Sequence, residues 1–202
     1  MQIRTPAVAG MFYPGETNEL KKSIQESFLH SYGPGKLPPS ESSEKIFGVI
    51  SPHAGYMYSG PIACNSIYSI SGSSAELYII IGPNHWGIGC NVATMKDCMW
   101  ETPIGTVEVD TEAAEEISKL TKVIEIDFFS HTKEHSLEVQ VPILQETFSN
   151  KFKILIPKFS NRPNRGLRAL CYDSMRQFWT FGLESFDAGI GISSHSLDAH
   201  QT

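Results

Sequence analysis

The chain has no excess of basic residues, no long apolar run and no paired cysteines, and each absence removes a class of function. Lys and Arg number 16 against 22 Asp and Glu, a formal net charge of -6. Sequence-independent phosphate binding needs a basic footprint, so nucleic acid is not an expected partner. The longest apolar stretch, around Tyr78 to Ile81, falls far short of a bilayer span, and no membrane association is expected. The opening MQIRTPAVAGMFYPG is interrupted by Gly10 and Pro14 and lacks the continuous apolar core of a signal peptide, which makes the cytoplasm the expected location. Cys64, Cys90, Cys98 and Cys171 show neither C-x-x-C spacing nor the density of a disulfide framework, so they read as reduced and packed. Neither a G-x-x-x-x-G-K-[ST] phosphate loop nor a G-x-S-x-G elbow occurs.

What is present suits one sizeable core: 202 residues with 41% hydrophobic content. Leu20, Ile24 and Phe28 recur every fourth position between charged residues, which predicts an amphipathic helix over Glu16 to Tyr32. The segment GPGKLPPSESSEK then reads as a surface loop. Ile46 to Ile50 predicts a strand buried on both faces, Pro61 to Ile70 a helix with proline in its first position, and Leu77 to Gly82 a second buried strand. That order is a βαβ unit, whose parallel strands end on one edge of the sheet. CNVATM and TPIGTVEVD alternate as edge strands or a hairpin do, Thr111 to Leu120 reads as a helix, and Phe152 to Ile156 as a strand. From His135 a helical period runs to Phe148, with Pro142 predicting a kink or a late start.

Two strand exits match one another: VISPHAGY, Val49 to Tyr56, and IIIGPNHWG, Ile79 to Gly87. Each places a histidine behind a proline at the edge where open α/β sheets bind ligands, so His53 and His85 are expected to converge. Neutral imidazoles on stiff turns suit a divalent transition metal. In TKEHSLEVQVP, Glu134, His135 and Glu138 fall within one helical turn. There Glu134 and His135 read as catalytic candidates, a third ligand or an acid and base beside a metal, or else as an ordinary acidic helix start. Tyr56, Asn84 and Trp86 flank the two histidines as candidate substrate-binding residues, although aromatics next to glycine also simply cover a sheet edge. Cys64 reads as a packing residue rather than an activated thiolate.

The motifs RTPAVAGMFYPG, SPHAGYMYSG, GPNHWG, WETPIGTVEVD and EHSLEVQVPIL, in that order, resemble the Memo family, also called AmmeMemoRadiSam system protein B. The resemblance covers roughly Arg4 to Pro157 and implies kinship with the catalytic subunits of class III extradiol dioxygenases. It implies a three-layer α/β/α sandwich with a central mixed, largely parallel sheet. His53 and His85 match the family's site histidines, and the Glu134 to Ser136 segment matches one beside the same cleft. Iron, copper or zinc is the implied cofactor.

The tail departs from that pattern. A Memo-like domain over residues 1–157 is followed by a divergent segment, 158–202, in which Ser193, Ser194 and His195 are a faint echo of a later family motif. The expectation is a truncated or frame-shifted relative, with a sheet incomplete at the C-terminus and exposed edges that lower solubility. Cys171, His195 and His200 are available in composition alone as replacement ligands. Two functions follow: a metal-dependent oxidoreductase acting on a small substrate, or a non-catalytic module that holds a peptide, ligand or metal in the same cleft. A zinc hydrolase is a weaker third. Homo-oligomerisation is left open.

Overall fold

The structure is a computed structural model that describes residues 1–39, 46–148 and 152–160. These lie in one compact unit, Met1–Arg162; the tail residues singled out above lie outside the described residues. In chain order the elements are β1 (Gln2–Arg4), α1 (Thr17–Leu29), α2 (Tyr56–Ile70), β2 (Leu77–Ile79), β3 (Gly82–Asn84), β4 (Val92–Thr94), β5 (Cys98–Thr102), β6 (Gly105–Val109), α3 (Thr111–Thr121), β7 (Glu125–Ile126), α4 (Val141–Thr147), β8 (Lys153–Leu155) and β9 (Lys158–Ser160). The class is α/β, as expected, with helices packed on mixed sheets.

Two sheets, ordered β1-β5-β6-β8-β2 and β3-β9-β4-β7, share a spine. β2 and β3 are successive stretches of one chain segment, and β8 and β9 of another; each pair runs parallel. Between the paired stretches, Ile80 N–H donates to the Leu155 carbonyl at 2.8 Å and Gly82 N–H to Pro157 at 3.3 Å, so the ladder continues through the join. Among the described residues only β5 with β6 and β4 with β9 pair antiparallel. The spine therefore carries the end of β3, and His85 just beyond it, to a fixed place at the sheet edge.

The core forms two clusters that meet at Ile80 and Phe152. One joins α1, α2 and α4 through Leu20, Ile24, Phe28, Ala63, Ile67 and Ile143. The apolar stripe of α1 is buried, as its four-residue period requires. The other surrounds Trp100, whose indole N–H donates to the Met95 sulfur at 3.2 Å, with Val107, Val109, Ile154 and Ile156. Strands β4 and β6 fall within the two alternating stretches, CNVATM and TPIGTVEVD, and α3 where the helical period places it, whereas β5, the hairpin partner of β6, lies between those stretches save for Thr102 and is not among the expected strands. Asp110 caps α3 by accepting from Ala113 N–H at 2.9 Å.

Three expectations are corrected. Leu77 to Gly82, expected as one buried strand, is divided between β2 and β3 and leaves Ile79 and Ile81 exposed, because the described residues cover only one face of it. Ile46 to Ile50 forms no strand and is exposed, Ile50 to 97%, so the first arm of the expected βαβ unit is missing. A strand buried on both faces needs a cover on each, and the described residues provide neither. Helix α2 begins at Tyr56, five residues before Pro61, which is its sixth residue. Proline favours a first helical position because its missing amide needs no partner there. Here the N-terminal donors are satisfied otherwise: Tyr56 N–H reaches the Phe12 carbonyl at 2.7 Å, and Tyr58 and Ser59 N–H reach Gly55 at 2.8 and 3.1 Å. That long-range cap lets the helix start early.

The exposure of the 46–50 run has a direct consequence. Ile50→Lys is expected to leave unfolding stability within about 0.5 kcal/mol of the parent, whereas Ile154→Ala costs about 3 kcal/mol by emptying core volume. Urea denaturation of both variants checks this; comparable losses would mean that the run is buried in solution.

Candidate functional site

Three turns from different parts of the chain meet at the sheet edge and bring His53, His85 and His135 together. His53 lies just before α2, on a turn held from behind by Gln140, whose amide donates to the Pro52 carbonyl at 2.9 Å and accepts from the Ser51 hydroxyl at 2.8 Å. His85 follows β3 in a turn built by Asn84. That side chain accepts from Gly87 N–H at 3.0 Å and donates to the Ile88 carbonyl at 3.1 Å, an arrangement that turns the chain locally. Gly89 completes the loop with φ of 69° and stands where an added Cβ would lie 2.4 Å from Ser130 Cβ, so no larger residue fits. Asp127 braces the same loop by accepting from Cys90 N–H at 2.9 Å.

His135 sits on the turn before a short 3-10 segment, Glu138–Gln140. The buried Glu134 carboxylate organises this turn, accepting from Ser136, Leu137 and Glu138 N–H at 2.7, 2.9 and 3.3 Å and from the Ser136 hydroxyl. Glu134 thus closes a turn ahead of the 3-10 segment rather than starting a helix, and His135 lies within that turn.

The imidazoles are close. Nε2 of His53 lies 3.1 Å from Nε2 of His85. The His85 and His135 rings stack at 4.9 Å between centroids and 18° between planes, and His53 meets His135 at 6.2 Å. Burial, then the neighbouring His85, lowers the His53 pKa below its usual value, with Glu134 opposing. Burial also lowers that of His135, against Glu134, with His85 and His53 adding to the drop. Both rings are therefore neutral at pH 7 and have lone pairs to offer.

Two nitrogens bound to one tetrahedral ion at 2.0–2.1 Å stand about 3.3 Å apart, close to the observed His53–His85 separation. The pair therefore fits two positions of a shared ion. Among the described residues no group of three His, Cys, Asp or Glu side chains is arranged to hold one. The Glu134 oxygens are engaged by its own turn, and the Cys64, Cys90 and Cys98 thiols are pushed up by burial to about 12, 11 and 11, far from thiolate ligands.

The flanking residues divide. Trp86 is 62% exposed beside His85, free to meet a ligand. Asn84 is buried in its turn. Tyr56 is buried, with its hydroxyl donating to the Val139 carbonyl at 2.7 Å. Sequence reasoning missed the support beneath the site: Arg4, Phe12, Tyr13, Gln140 and the role of Glu138. Arg4 and Glu138 form a fully buried ion pair. Arg4 also donates through Nε to the His131 carbonyl at 3.1 Å and through Nη2 to the Glu134 carbonyl, and its guanidinium lies 4.4 Å from the centre of the Trp100 ring. The available signal was an arginine and a glutamate within otherwise apolar, strongly patterned motifs.

His131, four residues before His135, is fully buried, with Nε2 3.0 Å from the Ile156 carbonyl and Nδ1 3.2 Å from both the Asp127 carbonyl and the Ser130 hydroxyl; the neutral ring has one N–H and donates to only one of the two carbonyls. Burial is the main cause that lowers its pKa to about 4 from 6.5. Above pH 6.5 the folded and unfolded chains both keep this ring neutral. Below it the unfolded chain takes up the proton first, so stability falls as pH drops from 6.5 toward 4, by about 3 kcal/mol in all. Urea midpoints measured from pH 7.5 to 4.5 are expected to fall more steeply in the parent than in His131→Asn; equal slopes would contradict the assignment.

Comparison with known proteins follows the same residues. The family model described as Memo-like protein matches residues 4–160. A MEMO1 family protein of Nitrosopumilus maritimus is 58% identical over 153 residues, 76% of this chain and 55% of that relative. MEMO1 family proteins of Sulfurisphaera tokodaii and Methanobrevibacter smithii are each 47% identical over 157 residues, again 76% of this chain and 55% of the relative. The chain thus spans about half the length of the curated relatives it matches.

Proposed function

The chain belongs to the Memo family, and from that premise we propose that His53 and His85 hold a divalent transition metal in a cleft that carries out oxidoreductase chemistry on a small substrate. The 3.1 Å approach of the two Nε2 atoms is the observation that carries this reading. Iron, copper and zinc all accept imidazole, and the first two add redox capacity. A bound ion would supply Lewis acidity and, for iron or copper, electron transfer beside the substrate.

The chain's own residues have distinct tasks in this reading. His53 and His85 present lone pairs, kept neutral at pH 7 in the case of His53 by burial and by its neighbour. His135, stacked on His85, accepts a proton from a substrate group at the cleft and returns it; its depressed pKa keeps it in the accepting form. Glu134 aims His135 through the turn and opposes that depression by its charge. Trp86 offers an exposed ring face to an apolar or aromatic ligand. Completion of the ligand set falls to the substrate or to solvent.

A second reading, a non-catalytic module holding a ligand or metal, is favoured by one observation: only two nitrogens share a suitable site among the described residues. Two donors hold a metal loosely and leave room for a ligand to bind through it.

Calorimetric titration of the chelator-treated chain with zinc, copper and ferrous iron separates these. The oxidoreductase reading expects one ion per chain, a loss of at least tenfold in affinity in His53→Ala and in His85→Ala, and oxygen uptake with catechols or thiols in the iron or copper form. Binding without turnover supports the module. Absence of binding by all three metals overturns both metal readings.

A further inference from the structure

The structure assigns to Glu138 the role of positioning residue for the histidine cleft, exerted through the N-terminal loop of residues 5–13. This goes beyond metal binding and rests on the reading that the three histidines form the working cleft. Glu138 is fully buried, and its two oxygens receive four donors from one short stretch of chain. Oε2 accepts from Arg4 Nη1 and from Ala7 N–H at 2.9 Å; Oε1 accepts from Val8 N–H at 3.0 Å and the Tyr13 hydroxyl at 2.6 Å. Burial, and then the adjoining carboxylate, holds the Tyr13 hydroxyl firmly protonated, so it remains a donor throughout the physiological range.

Between these anchor points the loop closes on itself. Met11 and Phe12 N–H both reach the Val8 carbonyl, at 3.1 and 2.9 Å, and Gly10 N–H reaches Tyr13 at 2.8 Å, with Gly10 at φ of 78°. Phe12 is therefore fixed between Val8 and Tyr13, the two residues that share Oε1 of Glu138.

Phe12 reaches the cleft in two ways. Its ring packs on the His135 imidazole at 5.1 Å and 54°. Its carbonyl accepts the Tyr56 N–H at 2.7 Å, tying down the first turn of α2 three residues after His53. Gly55 permits the approach, since an added Cβ would come within 3.3 Å of that oxygen. The segment that bears Glu138 also bears Gln140, which grips the Ser51–Pro52 side of the His53 turn. One three-residue turn thus holds His53 from both sides and His135 from below, although Glu138 touches neither ring.

The test uses the full chain and two readouts: the zinc dissociation constant, and the imidazole nitrogen signals of His53 and His135 by NMR. Glu138→Gln replaces an accepting oxygen with a donor and cannot serve all four partners. It is expected to weaken zinc about tenfold, as loss of a supporting group around a metal site does, and to shift both imidazole signals. Phe12→Ala reproduces the His135 shift, and Phe12→Leu restores part of it. Val109→Ala, in the core around Trp100, lowers unfolding stability but leaves both readouts in place. Should Glu138→Gln fail to fold, Tyr13→Phe and Phe12→Ala carry the same comparison. The assignment is overturned if Glu138→Gln, or those two variants in its stead, keeps the parental imidazole signals. Absence of zinc binding by the parent overturns the metal reading alone, and the imidazole signals still decide the role of Glu138.

Discussion

The buried Arg4–Glu138 ion pair is the constraint on which the rest of the arrangement depends. Two charges removed from water are tolerated only when their remaining hydrogen-bonding capacity is met, and breaking such a pair leaves an uncompensated charge in the core. Here both partners are met almost entirely by main chain: Arg4 by the carbonyls of His131 and Glu134, Glu138 by the amides of Ala7 and Val8, with the Tyr13 hydroxyl completing the set. The consequence is geometric. The first strand, the following loop and the turn that bears His135 are locked at one point, and each approaches the cleft in a single orientation.

Around that lock the site is assembled from stiff local devices. Asn84 shapes the His85 turn, Gln140 clamps the His53 turn, and Glu134 caps the His135 turn. Each of these side chains spends its hydrogen bonds on a turn and so orders a backbone that would otherwise sample many conformations. The three imidazoles then meet at the surface, His85 exposed and His53 and His135 half-buried, with the described cysteines protonated elsewhere. Because the chain spans about half the length of its curated relatives, the features placed within residues 4–160 belong to the part that it shares with them.

Much of this was legible in the sequence, for identifiable reasons. Strands β4 and β6 and helices α1 and α3 follow from alternation and helical period, which report local burial. His53 and His85 do lie side by side, but not for the reason the matching motifs suggested: only the His85 turn follows a strand, and the His53 turn is placed by Gln140 and by the start of α2. Of the kink or late start that Pro142 predicts, the chain shows the late start, with α4 beginning at Val141. What was not legible depended on distant partners. The early start of α2 relies on a carbonyl at Phe12, and the role of Glu138 on Arg4, 134 positions away. Ile46 to Ile50 misled because composition predicts a preference for burial but cannot supply the neighbours that provide it.

The central claim is that His53 and His85 present their Nε2 atoms to one shared ion. Anomalous scattering from crystals of the zinc-loaded chain tests it most directly. The account predicts a single strong peak about 2.0–2.1 Å from both Nε2 atoms. A peak bound to other residues, or two Nε2 atoms turned away from one another with no ion between them, would contradict it.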